Sequence, residues 1–443
     1  MMSILGGAII GVPILTCFVL CLVWWLKISI SESLVARLTN GAFFLSSLLA
    51  FLTLGSSWGH SVLLEFGEWY SMSGYEFLWR GTFDPLSLIF TGLAAFLLGV
   101  IGVFSQSYMH QERGFLRFYL LTLLFGVGVE TVLLAASLDQ VFFGWELVGL
   151  SSALLIAFFS HRPGPAKGGI RAFLTYRFCD IGLLAAVVVM HHSTGSTVFS
   201  SFQEGWFGLP ALGSESTAIL VVLLLVFACM GKSALVPFGG WLPRAMEGPT
   251  PSSAVFYGAL SIHLGPYLML RCSPIIDQSK WAGAILVTIG VLTAFHGTSV
   301  GRVQPDVKGA LAYGSMTQVG LIFIEIGLGW NLLAAIHIVG HACIRTLEIL
   351  RAPSVLHDYH HIETSLGAVL PKMGLHYERF LPKKWQMWFY HMSLERGFSE
   401  ALLMNVMQAW KAIVGVFDGV ETFIETRIMG LPSPDADKVK VLK

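Results

Sequence analysis

Residues 218–237 read Ala218-Ile-Leu-Val-Val-Leu-Leu-Leu-Val-Phe-Ala-Cys-Met-Gly-Lys232-Ser-Ala-Leu-Val-Pro237. Fourteen positions pass without a charge, and then Lys232 stands alone among apolar neighbours. A run of about twenty apolar residues is long enough to cross a hydrocarbon core of about 30 Å, so this segment is read as a membrane span. A lysine at that depth is costly, which makes it paired or functional by default. Gly231 and Pro237 bracket Lys232. Proline cannot supply its helical N–H, so the span is predicted to break here and to free backbone groups that can hold water or an ion.

The same apolar signature extends along most of the chain. Hydrophobic residues make up 55% of the 443 positions and charged residues 12%, against roughly 25% charged in a soluble domain. About eleven spans are expected, centred near Leu15, Leu48, Leu97, Leu124, Leu154, Leu184, Leu225, Leu260, Val287, Leu321 and Ala335. The expectation is an all-α polytopic membrane protein: a transmembrane bundle over residues 1–351, and a cytoplasmic tail over 352–443 carrying an amphipathic C-terminal helix. From Lys383 to Arg427 that tail spaces Trp388, Met392, Phe398, Leu402, Val406, Trp410, Ile413 and Phe417 at helical intervals among charges, as in a helix lying along a membrane, a partner or its own bundle.

Alternate connections differ in charge. One set holds Lys27, Arg37, Arg113, Arg117, Arg162, Lys167, Arg171, Arg244, Arg302 and Lys308, and the other only Arg80, Arg271 and Lys280. The positive-inside rule puts the first set in the cytoplasm, the N-terminus outside and the tail inside. No positively charged leader precedes the first apolar run, so a cleaved signal peptide is not expected. Formal net charge is zero, which gives no basic surface for nucleic acid. The cysteines Cys17, Cys21, Cys179, Cys229, Cys272 and Cys343 lie in apolar runs without close pairing and read as small buried hydrophobes.

Ionisable residues inside spans are the chemical signal. Glu130, Glu146, Arg177, Asp180, Lys232 and Glu325 all fall within them, and the eleventh span carries His337, His341, Arg345 and Glu348. Spacings of four, four and three put that last set on one helix face, the stripe of neighbouring titratable groups that a proton relay needs. A bland alternative is that the charges only clamp helices together. His191, His192, His357, His360 and His361 lack ligands at metal spacing. No phosphate-binding glycine motif, nucleophile elbow or dinucleotide fingerprint follows a predicted strand, so the chain is expected to hold no cofactor and not to be an enzyme by itself.

Several segments resemble the antiporter-like subunits of respiratory complex I, in particular the NuoL-like family. They are Phe83-Asp-Pro-Leu-Ser-Leu, Ser107-Tyr-Met-His, Gly144-Trp-Glu-Leu-Val-Gly-Leu-Ser-Ser, Tyr176-Arg-Phe-Cys-Asp-Ile-Gly-Leu, Gly231-Lys-Ser-Ala, Trp241-Leu-Pro-Arg-Ala-Met-Glu-Gly-Pro-Thr-Pro-Ser-Ser-Ala and Leu311-Ala-Tyr-Gly-Ser-Met-Thr-Gln-Val-Gly. The resemblance implies that Glu146 and Lys232 form a coupled pair at the start of a proton path, with Arg177 and Asp180 beside them and His337 and His341 in a central relay. Arg345 stands where the family has a lysine, and guanidinium rarely releases its proton. Tyr257 stands where the family has a histidine, with His263 further along the same helix; Glu130, Glu325 and Glu348 are additions.

The family continues with more spans and another lysine where this sequence turns polar after Arg351. That resembles shortened members of the DabB type. The resemblance implies a cytoplasmic-side DabA-like partner with a carbonic-anhydrase-like zinc site, energised by a proton or Na+ flux for inorganic carbon uptake at a bacterial inner membrane. The alternatives are a pumping subunit of an NADH-quinone oxidoreductase or membrane hydrogenase, and a structural scaffold with a degenerate channel.

Overall fold

The computed structural model describes residues 2–57, 60–72, 75–201, 206–304, 306–366 and 381–394. The chain divides into two compact units, Met1–Leu375 and His376–Lys443. The first opens with α1 (Met2–Trp25) and α2 (Glu32–Ser57), a hairpin of β1 (Val62–Met72) and β2 (Tyr75–Phe83), then α3 (Pro85–Tyr108), α4 (Phe115–Leu134), α5 (Leu138–Ile156) and α6 (Pro163–Thr194). A short pair, β3 (Ser200–Ser201) and β4 (Phe207–Gly208), precedes α7 (Glu215–Lys232). Then come α8 (Thr250–Ser253), α9 (Leu264–Arg271), the short α10 (Ser273–Ile276), α11 (Lys280–Gly301), α12 (Val307–Gly327) and α13 (Asn331–Leu366).

Among the described residues, eleven segments are long and apolar enough to cross a membrane, and the protein is an all-α multi-pass membrane protein. The division at 351/352 falls inside α13, which runs on to Leu366. In the second unit α14 (Lys383–Leu394) is helical, with Trp385, Met387, Trp388 and Tyr390 exposed. The remainder of the amphipathic stretch read from the sequence, 395–427, lies outside the described residues.

Local chemistry sets the helix starts. Asp84 caps α3 in a reciprocal box with Ser87, Ser137 caps α5, and Asp306 accepts from the Gly309 amide at the head of α12. The cap at Ser137 explains why the fifth span centres near Leu147 and not Leu154: polar residues early in the helix drew the hydropathy reading along the chain. Glycines let helices close on one another. A Cβ at Gly144 would lie 2.8 Å from the Gly128 carbonyl, and one at Gly290 2.5 Å from that of Gly320, the small-residue contact expected between membrane helices.

Two features depart from the sequence reading. The aromatic-rich connection after α2 is an antiparallel hairpin, bulged between Glu65 and Gly67, where Gly67 takes φ +150, a backbone that favours glycine. Of the cysteines, Cys179, Cys229 and Cys272 are buried, whereas Cys21 and Cys343 are exposed on the bundle. An apolar run does not say which face of a helix meets lipid.

The expected break at Lys232 is present and longer than predicted. α7 ends at Lys232, Ala234 follows at φ 55, and the chain continues through 3-10 turns at Phe238–Trp241 and Pro243–Glu247. A left-handed alanine costs about 1–2 kcal/mol, so packing holds this turn in place. The next span is also interrupted, by a π-helical turn at Ala254–Ala259 and a 3-10 turn at Ser261–His263.

Candidate functional site

The first cluster joins α5, α6 and α7. Arg177 pairs with Glu146 and, at 3.0 Å, with Asp180. The Trp145 indole N–H donates to the other Asp180 oxygen at 2.6 Å. Lys232 is 0% exposed and its ammonium donates to the Trp145 carbonyl at 2.9 Å, with the Tyr176 ring 4.6 Å away. Among the described residues Lys232 makes no ion pair, and the contacts between it and Glu146 run through Arg177, Asp180 and Trp145. Gly149 makes the room, since a Cβ there would lie 2.9 Å from Lys232 Nζ and 3.1 Å from Arg177 Nη2.

The second cluster joins α12, α13 and the turn before α9. His337 Nδ1 lies 2.8 Å from Glu325 Oε1, and its Nε2 lies 3.0 Å from the Gln318 side chain. One turn along α13, His341 Nδ1 meets His263 Nε2 at 2.8 Å. The two α13 histidine rings are 6.5 Å apart between centroids, close enough for one bridging water. His263 thus joins the relay from a neighbouring span. The Tyr257 side chain lies outside the described residues.

Arg345 and Glu348 pair with each other at 2.8 Å, and Glu348 is 44% exposed. All four residues lie on the continuous α13, where His337 and His341 meet partners on other elements, while Arg345 and Glu348 pair with each other and Glu348 opens toward the bundle surface. Glu130 stands apart, bonded to Ser46. It lies two residues from the Gly128 face that packs on α5, about 200° around the helix.

At the two helix breaks lie groups that the sequence reading did not single out. Ser233 follows Lys232 directly, and a Cβ on Gly265, two residues beyond His263, would fall 2.1 Å from its hydroxyl. The hydroxyls of Ser233, Ser252, Ser253 and Ser261 and His341 Nε2 are buried, and among the described residues none has a hydrogen-bond partner. Buried polar atoms of this kind are ordinarily satisfied by ordered water. Only the clustering of serines around the two breaks could have signalled them.

Comparison with known proteins agrees with this architecture. A family described as NADH:quinone oxidoreductase/Mrp antiporter, TM, matches residues 135–369, and one described as NADH-Ubiquinone oxidoreductase (complex I), chain 5 N-terminus, matches 69–119. NADH-ubiquinone oxidoreductase chain 5 of Schizophyllum commune is 33% identical over 350 residues, covering 79% of this chain and 49% of that protein. NADH-quinone oxidoreductase subunit L of Rhodobacter capsulatus is 33% identical over 348 residues, covering 75% and 48%. The chain spans about half the length of these relatives. The solved Mrp complex of a Dietzia species shares the fold, with a TM-score of 0.64 at 24% identity over 86% of this chain and 40% of that one. With more than half of its residues inside the first of these matches, the chain belongs to the NADH:quinone oxidoreductase/Mrp antiporter membrane family.

Proposed function

We propose that the chain conducts protons, or Na+, through the bundle as an ion-translocating subunit of a larger membrane assembly, and performs no chemistry on a substrate itself. The observation that carries this reading is the line Glu325, His337, His341 and His263, in which titratable groups from three spans lie within hydrogen-bond or single-water reach. The ion passes between this line and the Glu146, Arg177, Asp180 and Lys232 cluster by way of the hydroxyls around Ser233 and Ser261. Arg345 holds a fixed positive charge beside the line, and Glu348 neutralises it. Charge distribution in the connections supports an N-terminus outside and the end of α13 in the cytoplasm of a bacterial inner membrane.

Two assemblies fit this role. The names of the relatives favour a redox complex of the NADH-quinone oxidoreductase type. The mixed apolar and charged tail after α13 favours a cytoplasmic-side partner, a DabA-like protein carrying its own zinc, so that ion flux drives inorganic carbon uptake. Co-purification separates them: flavin or iron-sulfur subunits support the first, a lone zinc protein the second. In vesicles holding the intact assembly, Lys232→Ala or Glu146→Gln is expected to abolish ion flux with the assembly retained; normal flux in both rejects conduction by this route.

A further inference from the structure

Pro13 lies within α1, one turn after Ile9. Lacking an N–H, it leaves the Ile9 carbonyl without its usual helical donor. The Ser46 hydroxyl of α2 lies 2.9 Å from that carbonyl and 2.8 Å from Glu130 Oε1 of α4. A serine hydroxyl has one hydrogen to give. It goes to Ile9, where a buried carbonyl would otherwise stay unsatisfied. The contact between Ser46 and Glu130 then needs a proton from the carboxyl. Glu130 is 0% exposed, and its second oxygen has no partner among the described residues. A neutral acid tolerates that arrangement, whereas an ionised carboxylate would carry an uncompensated charge in a buried three-helix junction.

Ile9 and Ser46 are the groups of α1 and α2 that meet in this hydrogen-bond chain. From α9, Tyr267 donates to the Leu133 carbonyl of α4, and Arg271 beside it is paired with Asp84. Among the described residues no charged side chain of α1, α2, α3, α5, α9 or the hairpin pairs with Glu130. The adjoining Thr131 lines a cavity of about 310 Å3 whose charged member, Arg80, is bound to Glu65 at 2.7 Å.

We propose that Glu130 is a proton-binding site whose occupied form fastens α1 to α2 and α4. The bound proton completes a chain from the Glu130 carboxyl to the Ser46 oxygen and from the Ser46 hydroxyl to the Ile9 carbonyl. Loss of that proton leaves two acceptors facing one hydroxyl hydrogen, and either Ile9 or Glu130 loses its donor. α1 is then released on that side. Proline at position 13 is the cause of the arrangement, since any other residue there would give Ile9 its own donor.

Infrared spectroscopy and amide hydrogen exchange on the full chain in its membrane test this without reference to ion flux. The wild type is expected to show the carbonyl stretch of a protonated carboxylic acid that disappears in Glu130→Gln. The amide of that variant still donates to Ser46, so exchange in α1 stays at the wild-type rate. Ser46→Ala is expected to speed α1 exchange about tenfold, the equivalent of one net hydrogen bond. Pro13→Ala frees the Ser46 hydrogen for Glu130 and is expected to move the acid signal to lower pH. An acid stretch unchanged by Glu130→Gln, an acid signal unmoved by Pro13→Ala, or α1 exchange unaltered by Ser46→Ala overturns the proposal.

Discussion

Lys232 and Arg177 approach α5 at Gly149, where the helix has no side chain. A methyl group at Gly149 meets the far ends of both cations. Such ends can swing aside, so Gly149→Ala is expected to fold normally while displacing both charges by a few tenths of an ångström to an ångström. Misplacement on that scale can cost about 100-fold in a positioned reaction, and ion flux is expected to fall at least tenfold with thermal stability unchanged. Wild-type flux would show that the approach of the two cations is incidental. Lys232, Glu146 and His341 were legible in the sequence because a charge in an apolar run is conspicuous. Their actual partners were less so. The acceptor for Lys232 is the backbone carbonyl of Trp145, which no residue type announces, and Gln318 and Ser261 are common polar residues whose role appears only when spans are brought together.

At the ends of two elements lies a buried ion pair whose contribution to stability can be tested. Arg271 at the close of α9 and Asp84 at the head of α3 form an ion pair with neither side chain exposed, and Arg271 also donates to the Phe207 carbonyl. Burial pushes the Asp84 carboxyl up, but the Arg271 guanidinium with the amides of Ser87 and Phe207 outweighs it and holds the carboxyl below the ordinary aspartate value. A depressed folded value means that this contribution is complete above the unfolded value, about 3.9. It is lost as pH falls through the folded value. Asp84→Asn leaves Arg271 buried without its counter-charge and is expected to cost about 3–5 kcal/mol, read as a lower unfolding temperature in detergent, with the variant's acid sensitivity reduced. An unchanged unfolding temperature would mean the pair is dispensable. The break after Lys232 could be foreseen because Gly231 and Pro237 mark it. The π turn at Ala254–Ala259 could not, since its one breaker, Gly258, is of a kind that membrane helices carry without interruption. It is seated by contact with α13, where a Cβ on Gly258 would lie 2.8 Å from the Thr346 Cα. The hairpin was hidden for a related reason: its aromatic content suits an interfacial loop as well as a strand.

At the scale of the whole bundle, hydropathy alone placed eleven spans, because lipid demands long apolar helices whatever they do inside. What hydropathy cannot give is which charged faces meet. Most of the intramembrane charges read from the sequence fall into two clusters, α5, α6 and α7 around Lys232, and α12, α13 and the interrupted eighth span around His341, with Glu130 apart from both. The proposed conduction depends on these acting as one path, and the turn at His263 is where the eighth span comes near both. The neighbouring Gly265 lies against Ser233 beside Lys232, and the His263 ring meets His341. The most direct measurement is therefore proton flux in vesicles holding the intact assembly with His263→Leu. Flux is expected to fall to the level of Lys232→Ala while helical content and unfolding temperature stay at wild-type values. Flux at the wild-type rate in that variant would contradict it, because the two clusters would then be working without the bridge between them.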